Sequence, residues 1–157
     1  MRIGLISDTH DNLSNIKKAI DIFNKEKVDF VLHAGDIISP FSIRLFENLE
    51  CKKYIAVFGN NDGEKEGLSK ASAQRVYFAP LYIVLDSKKI ILTHQLQNTY
   101  INKDVDVVIF GHTHKKEVYT KDNILFINPG EAGAHLTGKG TIMILNTPSL
   151  EVHFFEI

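Results

Sequence analysis

Four of the seven histidines in this 157-residue chain lie just behind apolar runs, in company with acids and amides. Residues 2–7 lead into Asp8-Thr9-His10, and residues 30–34 into Gly35-Asp36. Residues 54–58 lead into Gly59-Asn60-Asn61-Asp62, residues 89–93 into His94, and residues 105–110 into Gly111-His112-Thr113-His114. Each run reads as a buried strand. In α/β proteins ligands bind outside the carboxyl ends of the strands, so these endings point to one shared site.

The donor types narrow the chemistry. Asp8, His10, Asp36, Asn60, His94, His112 and His114 offer carboxylate, amide and imidazole groups without a thiolate. A mixed oxygen and nitrogen set suits Mn, Fe, Co, Ni or Zn and not a cysteine-rich structural zinc site. These donors exceed what one tetrahedral ion takes. They suit two ions sharing a carboxylate, which in two-metal hydrolases lie about 3.5–4 Å apart. Two divalent ions bring about four positive charges and two carboxylates remove about two, leaving a surplus that deprotonates a bound water and holds an anionic phosphate. A bridging hydroxide is then the nucleophile, and no serine or cysteine is required. In an extended segment Asp8 and His10 point to the same side, as do His112 and His114. The glycines before Asp36, Asn60 and His112 let the chain turn where a branched side chain would block the pocket.

The elements that must carry these residues are legible in outline. Asp11 or Asn12 caps a helix with Leu13, Ile16, Ile20 and Phe23 at helical spacing. Ser39 and Pro40 open a second helix containing Ile43, Leu45, Phe46 and Leu49. Residues 59–74 read mostly as loop, with a helical turn near Leu68. Residues 82–85 and 89–93 are strands joined by a tight turn at Asp86-Ser87-Lys88, and residues 96–102 form a short helix. Residues 117–120, 124–127, 141–145 and 152–155 are β-like. The first half alternates strand and helix while the second is strand-rich, which predicts two packed sheets with helices outside them. One domain, 1–157, accounts for the whole chain.

The ordered motifs Asp8-x-His10, Gly35-Asp36, Gly59-Asn60, His94 and Gly111-His112-x-His114 resemble those of the calcineurin-like metallophosphoesterases. The pattern is similar to their small single-domain bacterial and archaeal phosphodiesterase branch, over residues 2–133. The resemblance implies an α/β fold, a four-layer α-β-β-α sandwich of two mixed β-sheets flanked by helices. It implies a metal-dependent phosphodiesterase acting on a small phosphodiester through a binuclear metal centre. Asp8, His10, Asp36 and His114 would hold one ion and Asp36, Asn60, His94 and His112 the other, with Asp36 bridging. The ions would be two divalent metals, manganese first, with nickel, iron, cobalt or zinc as alternatives. This chain departs from the pattern at three places. Asn61 stands where larger relatives carry a histidine that steadies phosphate or protonates the leaving group, and asparagine cannot be a general acid. Asn61 and Asp62 are therefore candidates for substrate or leaving-group contacts. His94-Gln95-Leu96 replaces His-Gly-His, and Pro129-Gly130-Glu131 replaces Pro-Gly-Ser, with Glu131 either edging the pocket and repelling anions or facing solvent.

Alternative readings keep the site or discard it. A phosphomonoesterase would use the same residues. A retromer-subunit-like interaction scaffold would share the fold and the Ile127-Asn128-Pro129-Gly130 stretch, but could lose metal ligands that this chain keeps. His33 reads as a hydrogen-bonded structural histidine and His135 as a surface-loop residue. Residues 133–139 nearly spell a phosphate-binding P-loop, but Gly140 stands where that motif needs Ser or Thr, and a strand follows instead of a helix.

Composition sets the outer bounds. Eighteen basic against nineteen acidic residues give a net charge of −1, which removes the electrostatic drive for strong nucleic-acid or anionic-membrane binding. No apolar run nears the roughly 20 residues of a membrane span. One cysteine, Cys51, excludes an internal disulfide, and no signal-peptide pattern opens the chain. A cytoplasmic protein is expected, and apolar β edges near residues 141–155 allow a homodimer.

Overall fold

A computed structural model describes residues 1–97, 101 and 104–157. The strands, numbered along the chain, form two mixed sheets. The first holds β1 (Arg2–Ile6), β2 (Phe30–His33), β3 (Tyr54–Val57), β4 (Val76–Tyr77), β10 (Thr141–Asn146) and β11 (Glu151–Glu156), in the order β11-β10-β1-β2-β3-β4. Its β1–β4 steps are parallel and its β10 and β11 steps antiparallel. The second holds β5 (Leu81–Leu85), β6 (Lys88–Leu92), β7 (Val107–Ile109), β8 (Lys116–Lys121) and β9 (Ile124–Pro129), in the order β5-β6-β7-β9-β8. Here β6, β7 and β9 run parallel between antiparallel edges.

Strand alternation divides the apolar residues between layers. Ile3 and Leu5 of β1 join Leu32, Val57, Met143 and Leu145 against Leu92, Val107, Ile109, Leu125 and Ile127 of the second sheet. On the other face, Ile6, Val31, Ala56, Ile142 and Ile144 pack under the helices. Burying each such side chain contributes roughly 1.5–3 kcal/mol, so the strand ends that carry the site are held from both faces. Helix α1 (Leu13–Lys25) buries Ile16, Ala19, Ile20 and Phe23. Its cap is Asn12, whose side chain accepts the Asn15 N–H at 3.2 Å. Asp11 instead accepts from the Ser39 N–H and the Ser39 and Ser42 hydroxyls, fastening the start of α2 (Pro40–Arg44).

Some elements differ from the sequence reading. The second helix ends at Arg44 and tightens into a 3-10 turn, Leu45–Asn48, which keeps Phe46 and Leu49 buried. The turn near Leu68 is a seven-residue helix, α3 (Lys65–Ala71), and β4 is an additional strand of two residues. Leu96 and Ile101 pack on the outer face of the second sheet, against Ile91, Val108, Phe110, Ile124 and Phe126. The helix expected over residues 96–102 lies partly outside the described residues. Among the described residues no helix is long and apolar enough to cross a membrane.

Register brings the motif residues together. Ile6 pairs with His33 and His33 with Ala56, so Asp8, Asp36 and Asn60 emerge from one edge of the first sheet. Leu92 pairs with Ile109, so His94 and His112 emerge side by side from the second.

Candidate metal centre

All seven predicted ligand side chains converge in two groups that meet at Asp36. In the first, ligand atoms of Asp8, His10, Asp36 and His114 all lie within 4.8 Å of one another. His10 Nε2 is 3.9 Å from Asp8 Oδ1 and 3.6 Å from Asp36 Oδ2, and His114 Nε2 is 3.4 Å from Asp8 Oδ1. Asp8 Oδ1 and His10 Nε2 are buried and have no hydrogen-bond partner among the described residues. An orphaned buried polar atom costs about 1–3 kcal/mol, and a cation among these atoms would satisfy them.

The second group contains Asn60, His94 and His112. His94 Nε2 lies 3.4 Å from Asp36 Oδ2 and 2.9 Å from Asn60 Oδ1, and His112 Nδ1 lies 2.9 Å from the same Asn60 oxygen. The Ala34 carbonyl accepts from His94 Nδ1 at 2.8 Å. That bond holds a proton on Nδ1. Without metal the protonated ring also donates from Nε2 toward Asn60 and Asp36, and loss of that second proton would free the Nε2 lone pair for a cation. Converging lone pairs fit a divalent ion, so both groups pass as coordination sites by donor chemistry.

The backbone achieves this convergence by departing from extended geometry. Asp8, His10, Asp36, His112 and His114 have φ of 52°, 41°, 58°, 68° and 60°. Left-handed turns, and not the strand alternation expected for Asp8-x-His10 and His112-x-His114, aim these side chains. Such conformations cost of order 1–3 kcal/mol each and collect at functional sites. Two glycines supply room, as expected. A Cβ at Gly59 would sit 2.1 Å from Asp36 Oδ1, and one at Gly111 would sit 2.7 Å from Asp8 Oδ2.

Electrostatics distinguish the two carboxylates. Burial pushes the Asp8 carboxyl above its usual range, against the pull of nearby imidazoles. Burial also acts on Asp36, but bonds from His94 and from Asn61 outweigh it and hold Asp36 well below the usual carboxylate range. Asn61 donates to Asp36 through its backbone N–H at 2.9 Å and its side-chain Nδ2 at 2.7 Å.

Other candidates settle differently. Asp62 is fully buried, and its carboxylate accepts the N–H groups of Asp36, Ile37, Ile38 and Gly59 at 2.7–3.1 Å. It clamps the two ligand-bearing turns together. Its oxygens are occupied by backbone, which corrects the expectation of a leaving-group contact. His33 is structural, as expected: Nε2 meets Thr9 Oγ1 at 3.1 Å and Nδ1 accepts the Gly35 N–H at 3.1 Å. Burial pushes its pKa down to about 3. His135 is exposed, but its ring centroid lies 6.5 Å from that of His10, so this loop residue borders the centre. Asn128 was not singled out as a functional residue. It is buried and donates to Gly111 O at 3.0 Å and Thr113 Oγ1 at 2.9 Å, pinning the His112–His114 turn. Glu131 neither faces solvent nor presents a free charge to the pocket. It is 1% exposed, and its carboxylate accepts the N–H groups of His135, Leu136 and Thr137 and the Thr137 hydroxyl. Burial opposes its ionisation, but these bonds outweigh burial and bring its pKa down to about 2. Only Pro-Gly-Glu in place of Pro-Gly-Ser marked it in the sequence.

Two sheets whose strand ends gather carboxylates and imidazoles form a centre suited to divalent metal. The chain belongs to the calcineurin-like phosphoesterase superfamily, whose domain matches residues 1–149. It is 43% identical over 160 aligned residues to the phosphodiesterase MJ0936 of Methanocaldococcus jannaschii, covering 96% of each chain. A solved structure described as a novel archaeal phosphodiesterase superposes with a TM-score of 0.90 at 41% identity, over 100% of both chains. Wild-type Vps29 of Entamoeba histolytica complexed with zinc superposes with a TM-score of 0.68 at 21% identity, over 100% of this chain and 98% of that one, which shows shared fold. The chain is thus a hydrolase of phosphoric esters, and its family and donor cluster call for divalent metal ions.

Proposed function

We propose that this enzyme hydrolyses a small phosphodiester at a centre of two divalent ions. Asp8, His10, Asp36 and His114 hold one, and Asp36, Asn60, His94 and His112 hold the other. The observation that carries this reading is the place of Asp36: one oxygen lies 3.6 Å from His10 Nε2 and 3.4 Å from His94 Nε2. A single carboxylate facing both groups is what a bridging ligand requires. When bound, the ions would activate a water as nucleophile and supply positive charge for the attacking and leaving oxygens. Manganese is the first candidate metal, and the cytoplasm is the proposed compartment.

The protein's own groups do the rest. Asp8 and Asp36 carry the negative charge that retains cations, while the Ala34 carbonyl keeps His94 in its ligating form. Asn61, at the exposed lip, can turn its amide N–H from Asp36 to a substrate phosphate oxygen. It orients and donates no proton, which favours diesters whose leaving group is a stable anion such as a phenolate over those that must expel an alkoxide.

Initial rates on bis-p-nitrophenyl phosphate, with metal-stripped protein before and after Mn²⁺, test this directly, with p-nitrophenyl phosphate in parallel. Mn²⁺-restored cleavage that favours the diester is expected. A preference for the monoester would reverse the substrate class. No rate on either despite bound metal would return weight to a binding role.

A further inference from the structure

We propose that Glu131 is a positioning residue for His114, holding its imidazole with the proton on Nδ1 so that Nε2 keeps the lone pair turned toward Asp8. The inference rests on the reading of His114 as a metal ligand, and it concerns a residue at which this chain departs from the common motif.

The two ring nitrogens of His114 face different carboxylates. Nε2 is 3.4 Å from Asp8 Oδ1, and Nδ1 is 3.4 Å from Glu131 Oε1. Nδ1 is buried and makes no hydrogen bond to any described residue, so the Glu131 carboxylate acts on it through its charge at 3.4 Å. Glu131 is itself immobilised. Oε1 accepts the His135 N–H at 2.8 Å and the Leu136 N–H at 3.0 Å, and Oε2 accepts the Thr137 N–H and hydroxyl, both at 2.8 Å. The loop after β9 is therefore folded around this carboxylate, leaving Oε1 beside the ring.

A neutral imidazole carries one N–H, and the partner of one nitrogen decides which. A carboxylate can only accept, so it selects the Nδ1–H form. A serine hydroxyl at this place, as in many relatives, can donate or accept and imposes no such choice. Metal-binding histidines commonly pass their second N–H to a carboxylate or carbonyl, and removing that partner typically lowers metal affinity about 10–100-fold. His94 has a carbonyl in this role, from Ala34. His114 has Glu131.

The informative variant is Glu131→Gln. It keeps the side chain's size and removes the negative charge beside Nδ1. With that charge gone, the Asp8 carboxylate 3.4 Å from Nε2 draws the proton onto Nε2, the atom a metal needs free. Thr137→Val is the companion, since it removes a bond that steadies the carboxylate without touching the ring contact.

Long-range ¹H–¹⁵N correlation of the histidine rings in metal-free protein at pH 8 reads the tautomer. The expected result is Nδ1–H for His114 in the wild type and in Thr137→Val, and Nε2–H in Glu131→Gln. Titration with Mn²⁺ alone, followed by the electron paramagnetic resonance of free Mn²⁺, should show an affinity loss of about 10–100-fold for Glu131→Gln and wild-type affinity for Thr137→Val. An Nε2–H wild type would overturn the proposal even if Glu131→Gln does not fold. So would an unchanged tautomer and affinity in Glu131→Gln, or an equal loss in Thr137→Val, which would assign the effect to the loop. A wild type with the Nδ1–H form that binds no Mn²⁺ would sink the proposed function while leaving the role of Glu131 standing.

Discussion

The two halves of the centre are built from similar groups and prepared in different ways. On one side of Asp36, Asp8 is buried and His10 half-buried, with atoms that find no hydrogen-bond partner among the described residues. On the other side Asn60 and His112 are exposed, and Asn60 already satisfies both His94 and His112 at 2.9 Å. The first arrangement accepts an unfavourable free state that a cation relieves. The second starts from contacts that a cation must displace, and it opens to solvent. Under the proposed function, retention of metal and access of substrate would be divided between the halves. Asp36 joins them.

Removing the joint should have the largest effect. Asp36→Ala is expected to lower the Mn²⁺-dependent rate about a thousandfold or more, since each ion is worth several kcal/mol of transition-state charge stabilisation. Initial rates with circular dichroism as a fold check would show it, and a rate within tenfold of wild type would mean that Asp36 bridges nothing.

Breaking each half separately should give unequal outcomes. His114→Ala should weaken the tighter Mn²⁺ equivalent roughly a hundredfold, because the buried Asp8 then loses a neighbouring donor. His112→Ala should retain that equivalent and lose the weaker one. Equilibrium dialysis with metal analysis distinguishes these results, and two equal affinities in the wild type would remove the asymmetry.

The smallest effect concerns His33, a buried histidine that belongs to neither half. Its pKa in the folded protein is about 3 against an unfolded value near 6.5, so the unfolded chain takes up the proton first. Its contribution to stability is complete above pH 6.5 and declines as pH falls toward 3, by about 1.4 kcal/mol per pH unit. Denaturant unfolding at pH 7 and pH 5, with the His33 Cε1 proton shift followed by NMR, checks both parts. The shift should stay at its neutral position throughout. A ring that titrates near 6.5 would show that burial does not set the proton state of histidines in this core.

The proposed ligands are visible in the sequence because each stands at the end of an apolar run, where periodicity stops and a polar group capable of binding metal follows. The helices are visible where apolar spacing is dense, as in α1, and obscured where it is not. In α3, Leu68 is the buried apolar residue and Gly67 interrupts the segment, while the two residues of β4 are too few for any pattern. The supporting acids were harder still. Asp62 and Glu131 look like ordinary polar loop residues in one dimension. Their roles depend on backbone N–H groups delivered by folding, from 24–26 positions away in the case of Asp62 and Asp36–Ile38. The strand alternation expected to aim Asp8 with His10 and His112 with His114 is not what the chain uses, since left-handed turns aim all four.

The Asp62 clamp has a consequence for how the centre breathes. Four amides from two separate turns end on one carboxylate, so none can loosen far without disturbing the anchor of the others. Their protons would exchange with solvent in shared openings, as a cooperative unit of the native state. Asp36 and Asn60 would then lose and regain their places on one clock, and the interval between those openings bounds how long a bound ion stays enclosed.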